Sequence, residues 1–278
     1  MSTTKAKPRK KVNYLNNKDI LIEIHKSKNS FCARTDDSYC DYDVIVEDLS
    51  EIFKPETIEE ARANRIIKMK TKMADAIFAE KGTRVRLSSI DLDESLVDDD
   101  YIFRVYTNEH LPSELCDKTG KVIMEKVNFP PFKHYMFSET VKDTAVEVVR
   151  SHWKGDFDTG EFSVNHGRIT EKLGRMFIML VKRYGQRGNW RGYTYNDEMQ
   201  GQALLQLSNF GLKFNEHKSQ NPFAYYTTVI TNSFTRVLLS EKKGQSVKET
   251  LMMESGLMPT FSRQAEVDIQ RDKDQQEH

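Results

Sequence analysis

Cysteine is scarce. Cys32, Cys40 and Cys116 are the only three in 278 residues, too few and too scattered for a disulfide framework, so a reducing compartment is expected. Long apolar runs are missing too. The longest, around Met176–Val181, is far short of the ~20 residues that a membrane-spanning helix needs. The basic opening MSTTKAKPRKKVNY is followed by no apolar stretch, so no secretory signal is expected. Neither charge is in excess: Lys+Arg 42 balance Asp+Glu 42, and any nucleic-acid surface must come from local clustering. No internal repeat or low-complexity tract is present, which sets solenoids aside. Gly185, Gly188 and Gly192 form no phosphate loop, because no strand leads into them. His110, His134, His152, His166 and His217 stand apart, and no Ser-His-Asp or Cys-His set can be assembled. No catalytic residue, metal ligand or cofactor is nominated, and the chain is not expected to be an enzyme.

What is present is mostly helical pattern. Residues 1–12 are expected to be a disordered basic tail, and 13–28 one helix, with Asn16 or Asn17 as cap. Within 29–160, KPETIEEARANRIIKMKTKMADAIFAEKG has Pro55 near its start, Gly82 at its end and apolar residues at helical spacing. TRVRLSSIDL, DYIFRVYT, KVIMEKV and HYMFSE resemble short strands, so this stretch is expected to be a small α+β module. Helices return over 161–243: one ends near Gly185, one begins at Asn196 or Asp197, and one begins with Asn221 as cap and Pro222 as its first residue. Residues 244–278 are expected to be a flexible tail. The fold class expected is mostly α, a compact three- or four-helix core with the α+β module inserted.

Basic residues and aromatics interleave in the third block. Lys182, Arg183, Arg187, Arg191, Lys218 and Arg236 alternate with Tyr184, Trp190, Tyr193, Tyr195, Phe223, Tyr225 and Tyr226. Positive charge follows phosphates and flat rings stack on unpaired bases. Composition alone fits a set of core aromatics with a solvated basic rim somewhat better.

The order of residues is more specific. RMFIMLVKRYGQRGNWRGYTYNDEMQGQALLQLSNFGLKFNEHKSQNPFAYYTTVITNSFTR resembles the core helical region of bacterial sigma factors: an aromatic-basic-Gly link, an acidic-start helix with a Gln, then F-x-x-Y-x-T opening a helix that ends in Arg. With the Tyr-x-Asn-Asn-Lys motif at Tyr14–Lys18, the chain is similar to the sigma-like late-transcription factors of large tailed phages over residues 13–25 and 165–243.

That resemblance implies a fold and a set of roles. The 13–28 helix and the 161–243 helices would form the core. Asp197, Glu198, Gln200 and Gly201 would dock on the largest-subunit coiled coil of the host bacterial RNA polymerase core. Tyr225, Thr227, Thr228, Asn232 and Arg236 would meet promoter DNA, with Arg187, Arg191 and Lys218 on its phosphates. An Asn can pair bidentately with adenine, and Arg can take phosphate or guanine. An AT-rich late promoter would suit this face, because weak pairing lowers the cost of opening. Two departures stand out. Sigma factors carry two adjacent tryptophans where Thr228 and Val229 stand, so the melting wedge is smaller. The C-terminal AEVDIQRDKDQQEH has no aromatic anchor for a sliding clamp, so clamp or co-activator dependence is open. The resemblance places the protein in the cytoplasm of an infected bacterium, with no membrane partner. Two other classes stay open: a nucleic-acid-binding accessory protein of phage replication or packaging, and a metal-dependent nuclease built on Asp91, Asp93, Glu94, Asp98, Asp99 and Asp100, although a solvated acidic loop accounts for those acids more simply. A zinc site from His25, Cys32 and Cys40 has no common finger spacing.

Overall fold

The computed structural model describes residues 15–93, 97–98, 100–138, 144–258, 260–261 and 264. The basic tail expected over 1–12, Tyr14, Glu94, Asp99 and residues 265–278 lie outside them. Two compact units emerge: residues 1–176 with 209–223, and 177–208 with 224–278.

The first unit is built on a sheet. Its strands are β1 (Cys32–Arg34), β2 (Val44–Val46), β3 (Asp100–Val105), β4 (Lys133–Ser138) and β5 (Ala145–Ser151), in the order β1-β5-β4-β3-β2. β2 runs parallel to β3, and the other pairs are antiparallel. β6 (Trp153–Lys154) and β7 (Glu161–Phe162) form a separate ribbon. Two helices accompany the sheet, α1 (Asn17–Asn29) and α2 (Pro55–Lys81). The Asn16 side chain caps α1 by accepting from the Asp19 N–H at 2.7 Å. Pro55 opens α2, and Gly82 closes it at φ +67°, a left-handed turn that suits glycine.

Period-two alternation in β3 sorts its side chains onto two faces. Tyr101, Phe103 and Val105 join Val44, Val46, Ile52, Ala61 and Phe137 in one apolar cluster, where Ala61 lets α2 approach closely. Ile102 and Arg104 point the other way, and Arg104 is fully buried. Burial on both sides explains why β3 carries apolar residues at both phases.

Arg104 anchors a buried polar cluster. Its guanidinium lies 4.0 Å from the ring centroids of both Tyr42 and Phe132, and its Nε donates to His134 Nε2 at 2.9 Å. His134 stands directly across the strand pair and donates from Nδ1 to the Tyr39 carbonyl at 2.8 Å. Lys28, fully buried on α1, donates to both Glu216 carboxylate oxygens at 2.9 and 2.7 Å and to the Phe214 carbonyl at 2.7 Å. Tyr106 donates to the same carboxylate at 3.1 Å, and Arg104 Nη1 stands 4.0 Å from it. Burial alone would raise the Glu216 pKa, but the Lys28 and Arg104 charges outweigh it and hold the carboxyl down at about 2. Burial pulls the Lys28 ammonium down to about 8 against the pull of Glu216.

The second unit holds the C-terminal part of α3 (Glu171–Gly185), most of α4 (Asn196–Phe210) and most of α5 (Pro222–Glu254). Tyr226, Ile230 and Phe234 recur every four residues on α5, and with Val237 they are buried beside Phe177, Leu180, Val181 and Tyr184 of α3. Phe177 meets Tyr226 edge-on at 5.0 Å, and Tyr184 meets Phe234 likewise at 5.2 Å.

The fold is therefore mixed α/β, and the expected mostly α bundle is overturned. A five-stranded sheet organises the first unit, and α1 packs within that unit and not in a separate helical core. TRVRLSSIDL forms no strand: it holds a 3₁₀ turn at Leu87–Ser89 and is largely exposed. KVIMEKV makes only an isolated bridge, Cys116 to Val122. Residues expected to begin the C-terminal tail at 244 continue α5 to Glu254. Among the described residues, no helix is long and apolar enough to cross a membrane.

Candidate nucleic-acid interface

The turn between α3 and α4 is tied down by one side chain. Asn196 does not cap α4 as expected. Its Nδ2 donates to the Gly185 carbonyl at 3.1 Å and to the Trp190 carbonyl at 2.9 Å, closing the 185–196 link, and its Oδ1 accepts from Gln200 Nε2 at 2.5 Å. Gly185 leaves the space for this: a Cβ there would stand 3.1 Å from Asn196 Oδ1 and from the Gln200 amide. Gln200, expected on an outward polar edge, is half-buried and engaged internally, whereas Asp197, Glu198 and Gly201 are exposed. Asn196→Ala should cost about 1–3 kcal/mol, because two partly buried carbonyls lose their donor. Urea unfolding of the second unit measures this, and an unchanged midpoint would show that water substitutes fully.

On α5 the predicted residues separate by face. Thr228, Asn232 and Arg236 are exposed and spaced four apart, while Tyr225 and Thr227 are half-buried. Thr228 Oγ1 donates back to the Ala224 carbonyl at 3.0 Å. Among the described residues the Asn232 and Arg236 side chains have no hydrogen-bond partner, so both remain available. Burial raises the Tyr225 hydroxyl pKa above its ordinary value. Phe223 is exposed, and Val229 is half-buried.

The stripe stands on a stiff base. Tyr184 OH lies 2.7 Å from Thr231 Oγ1. Because the Thr231 hydroxyl donates to the Thr227 carbonyl at 2.8 Å, Tyr184 is the donor. Trp190 and Tyr184 both pack on Phe234, at 5.4 and 5.2 Å. Thr231 escaped notice in the sequence, and its only signal was its place one turn before Phe234. Beyond this base, Tyr193 and Tyr195 are half-exposed with ring centroids 5.2 Å apart. Arg187 is exposed, its guanidinium 4.3 Å from the Tyr184 ring centroid, and Arg191 is exposed nearby in the chain. Lys218 is exposed and belongs to the first unit.

Two described acids of the acidic segment lie beside basic residues. Asp98 and Asp100 line a cleft of about 370 Å³ with Arg65, Lys68 and Lys72, and Arg65 donates to the Asp100 carbonyl at 3.0 Å. Among the described residues no group of three His, Cys, Asp or Glu side chains is placed to hold a metal ion. His25 lies 3.2 Å from the Tyr42 hydroxyl and 3.4 Å from Arg104 Nη2. The Cys32 thiol donates to the Lys28 carbonyl at 3.3 Å, and burial pushes its pKa to about 12.

No protein-family model matches the chain, and no curated protein or solved structure is significantly similar to it.

Proposed function

We propose that this protein is a sigma-like initiation factor of a large tailed phage, which binds the core of a bacterial RNA polymerase and directs it to AT-rich late promoters. Asp197 and Glu198, exposed at the start of α4, contact the coiled coil of the largest subunit. Thr228, Asn232 and Arg236 on α5 meet the promoter, with Arg187 and Arg191 on its phosphates. Support comes from the residue order over 165–243 and from one observation above others: α5 buries Tyr226, Ile230, Phe234 and Val237 while leaving Asn232 and Arg236 exposed, with no side-chain hydrogen-bond partner among the described residues. A helix needing those two residues only for its own packing would have covered them.

The test combines co-purification with host polymerase core and transcription from an AT-rich supercoiled template. Reversing both charges, Asp197→Lys with Glu198→Lys, should abolish co-purification. Asn232→Ala with Arg236→Ala should leave co-purification intact and lower promoter-specific initiation about 5- to 150-fold, the loss of ~1–3 kcal/mol of base discrimination. Retained co-purification after the reversal would remove the docking assignment, and unchanged promoter choice would remove the α5 assignment.

A further inference from the structure

α2 is a 27-residue helix of which only Ala61 is fully buried. Its first half packs on β2 and β3, but from Lys72 to Lys81 every residue except Ala74 and Ile77 is exposed. Charge along it is lopsided. Residues 62–86 contain eight Lys and Arg (Arg62, Arg65, Lys68, Lys70, Lys72, Lys81, Arg84, Arg86) against two acids, Asp75 and Glu80, in a chain that is neutral overall. Three of the eight have local counter-charges. Arg65 and Lys68 pair with Asp43, and Lys72 Nζ lies 3.9 Å from Asp41. The other five, Arg62, Lys70, Lys81, Arg84 and Arg86, pair with no carboxylate among the described residues. The Arg84 guanidinium rests over the Phe78 ring at 5.7 Å.

We infer that this outer face of α2 and the loop after it bind duplex nucleic acid through its phosphates, without regard to base sequence. At 100° and 1.5 Å per residue, Arg62, Lys70 and Lys81 fall within ~100° of one another around the helix, separated by ~12 and ~16 Å along it. The first spacing is close to the ~12 Å width of a DNA major groove. The full ~28 Å matches about eight base pairs of phosphate backbone. The surface lies in the sheet unit, so it does not rest on the polymerase reading and is tested without polymerase.

The experiment measures fluorescence anisotropy of a labelled random-sequence 25-base-pair duplex with the full-length chain, from 20 to 200 mM salt. Binding is expected to weaken with salt. Lys70→Glu/Lys81→Glu/Arg84→Glu should weaken it at least tenfold at 50 mM and flatten the log–log salt slope by about 2–3, roughly 0.9 per lost phosphate contact. A charge-matched variant of exposed lysines elsewhere in the same unit, Lys118→Glu/Lys121→Glu/Lys154→Glu, should keep the slope, and thermal unfolding checks that both variants are folded. No duplex binding at 20 mM would overturn the assignment, as would equal losses in the two variants. Capture of a poly-glutamate peptide without duplex binding would overturn it in favour of an acidic protein partner.

Discussion

Glu216→Gln is expected to destabilise the first unit by about 3–5 kcal/mol, because it removes the one carboxylate facing two buried cations. Lys28 and Arg104 are both 0% exposed, and Glu216 is their shared counter-charge. A neutral amide can still accept a hydrogen bond from Lys28, so the loss measured is mainly electrostatic. Lys28→Met should cost less. It leaves Arg104 and Tyr106 to hold the carboxylate, and one buried positive charge then faces one negative. Hydrogen exchange of the β3, β4 and β5 amides under mild urea reads the first unit by itself. If Lys28→Met proves as costly as Glu216→Gln, the charge balance is not what stabilises this cluster.

Acid should weaken the same unit well above the pH at which carboxylates titrate. His134 and His152 are both fully buried. Burial holds His152 down at about 3 and His134 well below its ordinary value, with Arg104 adding to the effect at His134. Both stay neutral in the fold, and both take up protons once unfolded as pH falls below 6.5. The unfolded chain then binds more protons than the folded one, so stability falls as pH falls. Each group contributes a slope of about 1.4 kcal/mol per pH unit once well below 6.5, or about 3 kcal/mol for the pair between pH 6.5 and 5. Glu216, held down at about 2, adds a further loss below pH 4.5. The urea midpoint of the first unit as a function of pH checks this. His25 and His110, held down by burial at about 3 and about 4 in the same unit, add slopes of the same sign. A flat profile from pH 7 to 5 would mean that these rings reach solvent, and His152→Phe should remove about a quarter of the slope.

The legible parts of the sequence were those with strong local signals. α1, α2 and the start of α5 could be drawn from Asn16, Pro55, Gly82 and Pro222. β3 and β4 showed in their apolar texture. β1 and β2 have three residues each, too few for alternation to register, and β2 is recognisable only through its pairing with β3. Arg104 sat in an evident strand, yet nothing local tells that its counter-charge is Glu216, in a loop between two helices. Asn196 carried a cap signal, and the structure uses its amide to close the preceding turn instead. Gln200 was assigned outward through the resemblance, but the space left by Gly185 draws it in. On α5 the four-residue spacing separated Thr228, Asn232 and Arg236 from Ile230 and Phe234, because helical periodicity is a local property.

Glu216 follows Lys28 by 188 residues. At ~5–20 residues per second, a ribosome releases the lysine on the order of ten seconds or more before its carboxylate exists. Throughout that interval Lys28 on α1 and Arg104 on β3 lack their shared carboxylate, so the sheet should close only after the segment between α4 and α5 has left the exit tunnel. A chain truncated at residue 208 would keep every strand and still lack the counter-ion that lets them pack.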